Sequence, residues 1–353
     1  MAMRGLLTPR LKGEFECIES SFEEDHVKES RLSFEEASRC LGTLGKDETG
    51  MRYAYLMITA IGRDLTDISV ILSFKHVLFV DVSDNCLSLE GLQVLTNMPF
   101  LIMLKAEHNR ITSAALKTIN CLQVLRLNKN NILDTIGINQ PALNHLELSY
   151  NQIYMAQLDD DDLSQLKHLE LRGNFLPNLG GNIPCNVEVL YLAENRINKI
   201  LSPTLSKLTH LRILHLRDNS IRKLDGFTSS LVNLKYLNLR KNKIVKFRQF
   251  RKLQCLPVLE TLIVSENPIA GEETAKGEEE PAEEEEEKED ITRIPILVFL
   301  PNLKRINKAF VTAEERDEVA EVFEEKLEEI MAEDSSEDEG MTTTDVTEYT
   351  DTD

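Results

Sequence analysis

The sequence predicts an α/β solenoid, a horseshoe of stacked units whose short strands form one parallel sheet along the concave side. Three observations lead there. The pattern L-x-x-L-x-L-x-x-N-x-L, with other aliphatic residues allowed at the L places, recurs along most of the chain. Its asparagine falls at Asn85, Asn109, Asn130, Asn151, Asn174, Asn195, Asn219, Asn242 and Asn267, at spacings of 24, 21, 21, 23, 21, 24, 23 and 25 residues. Within each copy, apolar and polar residues alternate with the period of a strand that buries one face.

The N-terminal fifty residues precede the pattern. They mix charges with Leu6, Leu7, Phe15, Phe22 and Phe34 at no clear period, and read as an N-terminal arm of uncertain structure suited to docking. Residues 51–310 are the expected solenoid with its caps. A degenerate first copy places Tyr55, Ile58, Ala60 and Leu65 at the apolar positions and Arg63 where asparagine would stand.

The regular unit follows from one example. Leu146 and Leu148 alternate with His145, Glu147 and Ser149, which makes a short strand with the leucines inward. Asn151 then occupies the turn, where its amide can bond backbone groups that the turn leaves unpaired. One unit cannot bury its leucines alone, so stacked neighbours must share a continuous core. At about 1.5 to 3 kcal/mol for each buried aliphatic side chain, that core dominates the energetics.

After Asn267 the chain enters an acidic stretch, 271–290, expected to be a disordered insertion within the C-terminal cap. Phe299, Leu300, Leu303 and Ile306 then return to the repeat pattern and can close the core. Residues 311–332 read as an acidic amphipathic helix. Thr312 and Glu315 form a capping-box signature, and Val319, Val322, Phe323, Leu327 and Ile330 recur at helical spacing. That stripe is suited to packing on the cap or to binding a partner. Residues 333–353 form an acidic tail with serines and threonines, expected to be disordered; Ser335 and Ser336 precede an acidic run that suits an acidophilic kinase.

Charge divides the chain in the same way. The net charge of −20 separates into −4 for residues 1–50, +6 for 51–270 and −22 for 271–353. A diffuse +6 beside so acidic a tail argues against nucleic acid. No apolar window reaches the length of a membrane span, and the first residues lack a secretory signal pattern. The six cysteines, Cys17, Cys40, Cys86, Cys121, Cys185 and Cys255, are scattered and read as reduced thiols in a reducing compartment.

No catalytic or cofactor motif is present: neither a phosphate-binding loop, nor a nucleophile elbow, nor a zinc-protease helix. The reading is therefore not an enzyme, with no cofactor, no metal and no small-molecule substrate. His145 and His168 share a column in adjacent units, but nothing is placed to complete a metal site. Asp159–Asp162 lacks the spacing of a calcium loop. Lys243–Phe247 resembles a short phosphatase-docking motif, yet Ile244 and Phe247 hold repeat-core positions.

The register also predicts the concave surface. One column reads Phe79, Met103, Val124, His145, His168, Val189, Ile213, Tyr236 and Thr261; the next reads Asp81, Lys105, Arg126, Glu147, Glu170, Tyr191, His215, Asn238 and Ile263. A third contains Arg172, Arg217 and Arg240. Aromatic residues and arginine are enriched at protein interfaces, so the expected protein-binding face is Arg172, Tyr191, His215, Arg217, Tyr236 and Arg240.

The unit is that of a leucine-rich repeat, and its spacing resembles the cytosolic, phosphatase-regulator-like subclass. Within that subclass the chain resembles the leucine-rich-repeat family found in the radial spokes of motile cilia and sperm flagella. The likeness rests on Arg63-Asp64-Leu65-Thr66-Asp67-Ile68, Leu169-Glu170-Leu171-Arg172-Gly173-Asn174, Leu214-His215-Leu216-Arg217-Asp218-Asn219 and Tyr236-Leu237-Asn238-Leu239-Arg240, and it covers about residues 52–316. The acidic insertion, the Thr/Asp-rich tail and residues 1–50 depart from it. The resemblance implies a mechanical scaffold in the cytoskeleton of a motile axoneme, with other radial-spoke proteins, spoke-head components among them, as partners. It implies no membrane contact. Two alternatives stay open: a soluble regulatory subunit of a protein phosphatase, and a cytosolic assembly factor for dynein arms.

Overall fold

The computed structural model describes residues 29–47, 49–270 and 290–332. Thirteen of their strands form one sheet, parallel from Tyr53–Thr59 through Arg305–Ile306 and closed at each end by an antiparallel partner, and Asn178–Leu179 pairs with Lys199–Ile200 in a separate parallel pair. Consecutive units pair in the expected register: His145 lies opposite His168, and Glu147 opposite Glu170. The strands are three residues long where the unit is regular, because only the x-L-x segment lies flat before the asparagine turn.

All nine ladder asparagines are buried. Asn151 shows how each one works. Its Nδ2 donates to Leu127 O of the preceding unit at 3.0 Å and to Leu148 O at 3.0 Å, and its Oδ1 accepts from Ile132 N at 3.1 Å. The residue before each asparagine is left-handed, with φ between +51° and +58° at Asp84, His108, Lys129, Tyr150, Glu194, Asp218, Lys241 and Glu266. This strain is accepted because it aims the backbone N–H at the next unit, as Glu194 N does to Arg217 O at 2.9 Å. Gly173 holds the same place in its unit, where a Cβ would run into the Tyr150 ring.

The convex side depends on unit length. Among the regular units, helical turns appear in those of 24 and 25 residues, at Leu89–Gln93 with Val94–Asn97, Ser202–Leu205 and Phe247–Cys255, and the first cap adds the turn Ser69–Ser73. The units of 21 residues cross the back in turns, having too few residues for a helix.

Residues 29–47 join the fold directly. Ser33 and Glu36 make a capping box for the helix Phe34–Arg39, and the strand Leu41–Lys46 pairs with Tyr53–Thr59. The sheet thus begins before the expected solenoid boundary; residues 1–28 of the arm lie outside the described residues. In the first cap Ile58, Ala60 and Leu65 are buried as expected, but Tyr55 is 52% exposed. The cap strand runs unbroken for seven residues, so strict alternation puts Tyr55 on the face opposite Ile58.

At the other end Phe299, Leu300, Leu303 and Ile306 are buried and seal the core. The helix Ala313–Met331 carries the expected capping box from Thr312 and Glu315. Val319 and Ile330 are buried and Leu327 packs against the core, which uses the stripe for the cap, while Phe323 stays exposed. Arg293 fastens this helix through Glu315, at 2.9 Å from Nη2 to Oε2, and donates to Ile306 O and Phe310 O at 3.0 and 2.8 Å. Asp290, the last residue of the expected insertion, is held by Thr292 and Asn307. The remainder of that insertion and the tail 333–353 lie outside the described residues.

Candidate partner-binding face

The register brings five rings into one unbroken stripe across the concave sheet. His145 and His168 stack at 4.0 Å with planes 6° apart; His168 meets Tyr191 at 5.3 Å, Tyr191 meets His215 at 4.5 Å, and His215 stacks on Tyr236 at 4.9 Å. The stripe crosses from the first column to the second between His168 and Tyr191, then returns at Tyr236. Three of the six expected contact residues, Tyr191, His215 and Tyr236, are therefore direct neighbours. Histidines 145 and 168, which the sequence places in the first concave column but outside the expected contact set, extend them.

His215 sits within the stripe, and burial pulls its pKa down to about 4 against the attraction of Glu170. Its ring is accordingly neutral at neutral pH, and the middle of the stripe is an uncharged, half-buried aromatic surface.

At the end near His145 the surface becomes polar. Glu147 receives His145 Nε2 at 2.6 Å and Asn128 Nδ2 at 2.8 Å, with Arg126 Nε at 3.1 Å. Burial raises the Glu147 pKa, but those bonds and the Arg126 charge outweigh it, so the carboxyl stays below its usual range.

The three expected arginines divide into two kinds. Arg172 pairs with Glu194, whose other oxygen accepts from Tyr150 at 3.2 Å, and Arg240 Nε reaches Glu266 Oε1 at 2.6 Å. Each glutamate belongs to the next unit, at the left-handed position. The corresponding residue beyond Arg217 is Lys241, and Arg217 Nε is buried with no acceptor among the described residues. Sequence columns locate all three arginines, but the pairing needed a comparison of each arginine with the residue 22 to 26 positions on.

The acidic run at 159–162 is structural at its centre, since Asp160 accepts from Cys185 N at 2.7 Å. Ile244 is buried and Phe247 packs on the core, so the docking-like segment is spent on packing. No described helix is long and apolar enough to cross a membrane.

Comparison with known proteins agrees with the repeat register. A family model described as leucine rich repeat matches residues 185–244 and 209–269. The chain is 37% identical over 284 residues to leucine-rich repeat-containing protein 23 of Bos taurus, covering 80% of this chain and 77% of that protein. It is 36% identical over 290 residues to the protein of the same name from Homo sapiens, covering 82% and 78%. Among solved structures, the leucine-rich repeat domain of APL1B superposes with a TM-score of 0.50 at 21% identity, over 71% of this chain and 68% of that one, which supports the fold alone.

Proposed function

This chain belongs to the leucine-rich repeat-containing protein 23 family, and we propose that it is a non-enzymatic scaffold of the radial spoke in motile cilia and sperm flagella. In this role it helps assemble the spoke by holding other spoke proteins, spoke-head components among them, on its concave face. The observation that carries the reading is the continuous ring stripe from His145 to Tyr236, bordered by Arg217, whose Nε has no acceptor among the described residues. Half-buried rings on a rigid sheet provide large contact area at little cost in side-chain entropy, which suits a permanent structural joint.

The test is fractionation of motile ciliated cells after detergent extraction, following the protein through soluble and axonemal fractions and then a high-salt wash. Retention on washed axonemes is expected. Release into the soluble pool would overturn the spoke reading and favour a phosphatase subunit or an assembly factor.

A further inference from the structure

The modest charge of the repeat body hides a local concentration. Between residues 196 and 252 stand fifteen lysines and arginines against two aspartates. The register gathers many of them on one flank. Lys199, Lys223 and Lys246 each follow their ladder asparagine by four residues, and Arg196 and Lys243 follow theirs by one. These places recur at the spacing of neighbouring strands, about 5 Å. In the preceding unit they hold Asn178 and Phe175, so the cationic run begins at Arg196. Arg222, directly before Lys223, adds to the same run, and Lys199, Arg222 and Lys243 are exposed and make no ion pair with another described residue.

The cap helix ends against the convex turn Phe247–Cys255 of the same unit that carries Lys243, with Arg251 Nη1 3.8 Å from Met331 Sδ. The residues that follow, 333–353, carry nine carboxylates and no lysine or arginine. Fully extended, they reach about 70 Å, whereas three stacked units span only about 15 Å.

We propose that the C-terminal segment 333–353 docks on the cationic flank that Lys199, Arg222 and Lys243 form on its own chain. Each exposed ion pair is weak alone. The tether supplies a high effective concentration, so several weak pairs act together. The contact is electrostatic and therefore salt-sensitive, and phosphate added at Ser335 or Ser336 strengthens it.

The test is zero-length carbodiimide coupling of the full chain, with the monomer isolated by size exclusion and its cross-links mapped by mass spectrometry. Carboxylates of 333–353 are expected to couple to Lys199 and Lys243 several-fold more often than to Lys75 or Lys117 at the opposite end. Arg222→Glu should lower that yield about threefold, and half-molar salt should abolish the preference. An even spread over all lysines overturns the proposal. So do cross-links confined to dimers, which would mean a second copy, and coupling of the flank lysines to 278–287 alone.

Discussion

Lys241 stands one unit beyond Arg217 at the place from which Glu194 pairs with Arg172 and Glu266 pairs with Arg240. Two cations at that juncture cannot pair. Lys241 turns to Asp218 at 2.6 Å, and Arg217 is left with a buried Nε that no described group satisfies. A buried donor without an acceptor is costly in the free protein. Arg217 is thus the one of the three arginines that no described carboxylate holds.

The three arginines should therefore respond differently to charge reversal. Arg172→Glu and Arg240→Glu each replace an ion pair with two like charges and should lower stability by about 1 kcal/mol. Arg217→Glu breaks no ion pair between described residues and should cost less than either of the other two, while weakening retention on axonemes. Urea midpoints of the three single variants check this; equal losses at all three would show Arg217 to be structurally engaged.

The asparagine ladder makes a sharper demand on chemistry than on size. Asn151→Ala removes the donor from the buried carbonyls of Leu127 and Leu148 and the acceptor from Ile132 N, and should cost about 2 to 4 kcal/mol. Asn151→Asp keeps the shape but points a carboxylate at two carbonyl oxygens. It should be the worse variant at pH 7, and the gap should narrow as acid protonates it. Denaturation of both variants at pH 7 and pH 5 decides; an Asp variant as stable as the parent would contradict the donor geometry.

How much of this was legible depended on how local the determinant is. The leucines and asparagines could be read because each unit meets only its neighbours in a fixed register, and nine copies fix that register. Tyr55 was misplaced because the same spacing has another meaning in an unbroken seven-residue strand. The arginine pairs were missed because the partner lies in the next unit at an offset that varies with unit length. The ring stripe was half legible: columns found Tyr191, His215 and Tyr236, but not that the His168 ring crosses columns to reach Tyr191. The structure of residues 29–47 had no periodic signal to announce it.

The C-terminal latch should carry an acid-sensitive share of stability. The Arg293 guanidinium holds the Glu315 carboxyl below its usual range, against the opposing effect of burial. The ion pair therefore stabilises the cap fully above about pH 4.5, the unfolded value, and the contribution is lost as pH falls through the lower folded value. Glu315→Gln should cost about 1 to 3 kcal/mol at pH 7, with the difference from the parent shrinking toward pH 3. A difference that stays constant with pH would mean that the carboxylate's charge is not what fastens the helix.

The ring stripe allows the final separation, between a surface that binds because it is aromatic and one that binds because it is charged. His215 has its pKa near 4, so as pH falls from 7 the unfolded chain takes up the proton first, near 6.5. The stability contributed by the neutral ring is complete above about pH 6.5 and is lost as pH falls toward 4. His215→Phe should remove this component, so that its stability changes less than the parent's between pH 7.5 and pH 5. The same variant should stay on washed axonemes, because it keeps a ring between Tyr191 and Tyr236. His215→Lys should be released, since it forces a permanent charge between those rings. Proton titration of the His215 ring by nuclear magnetic resonance is the accompanying control: a midpoint near 6.5 would show a solvated ring. Retention of the lysine variant would show that the stripe is not the contact.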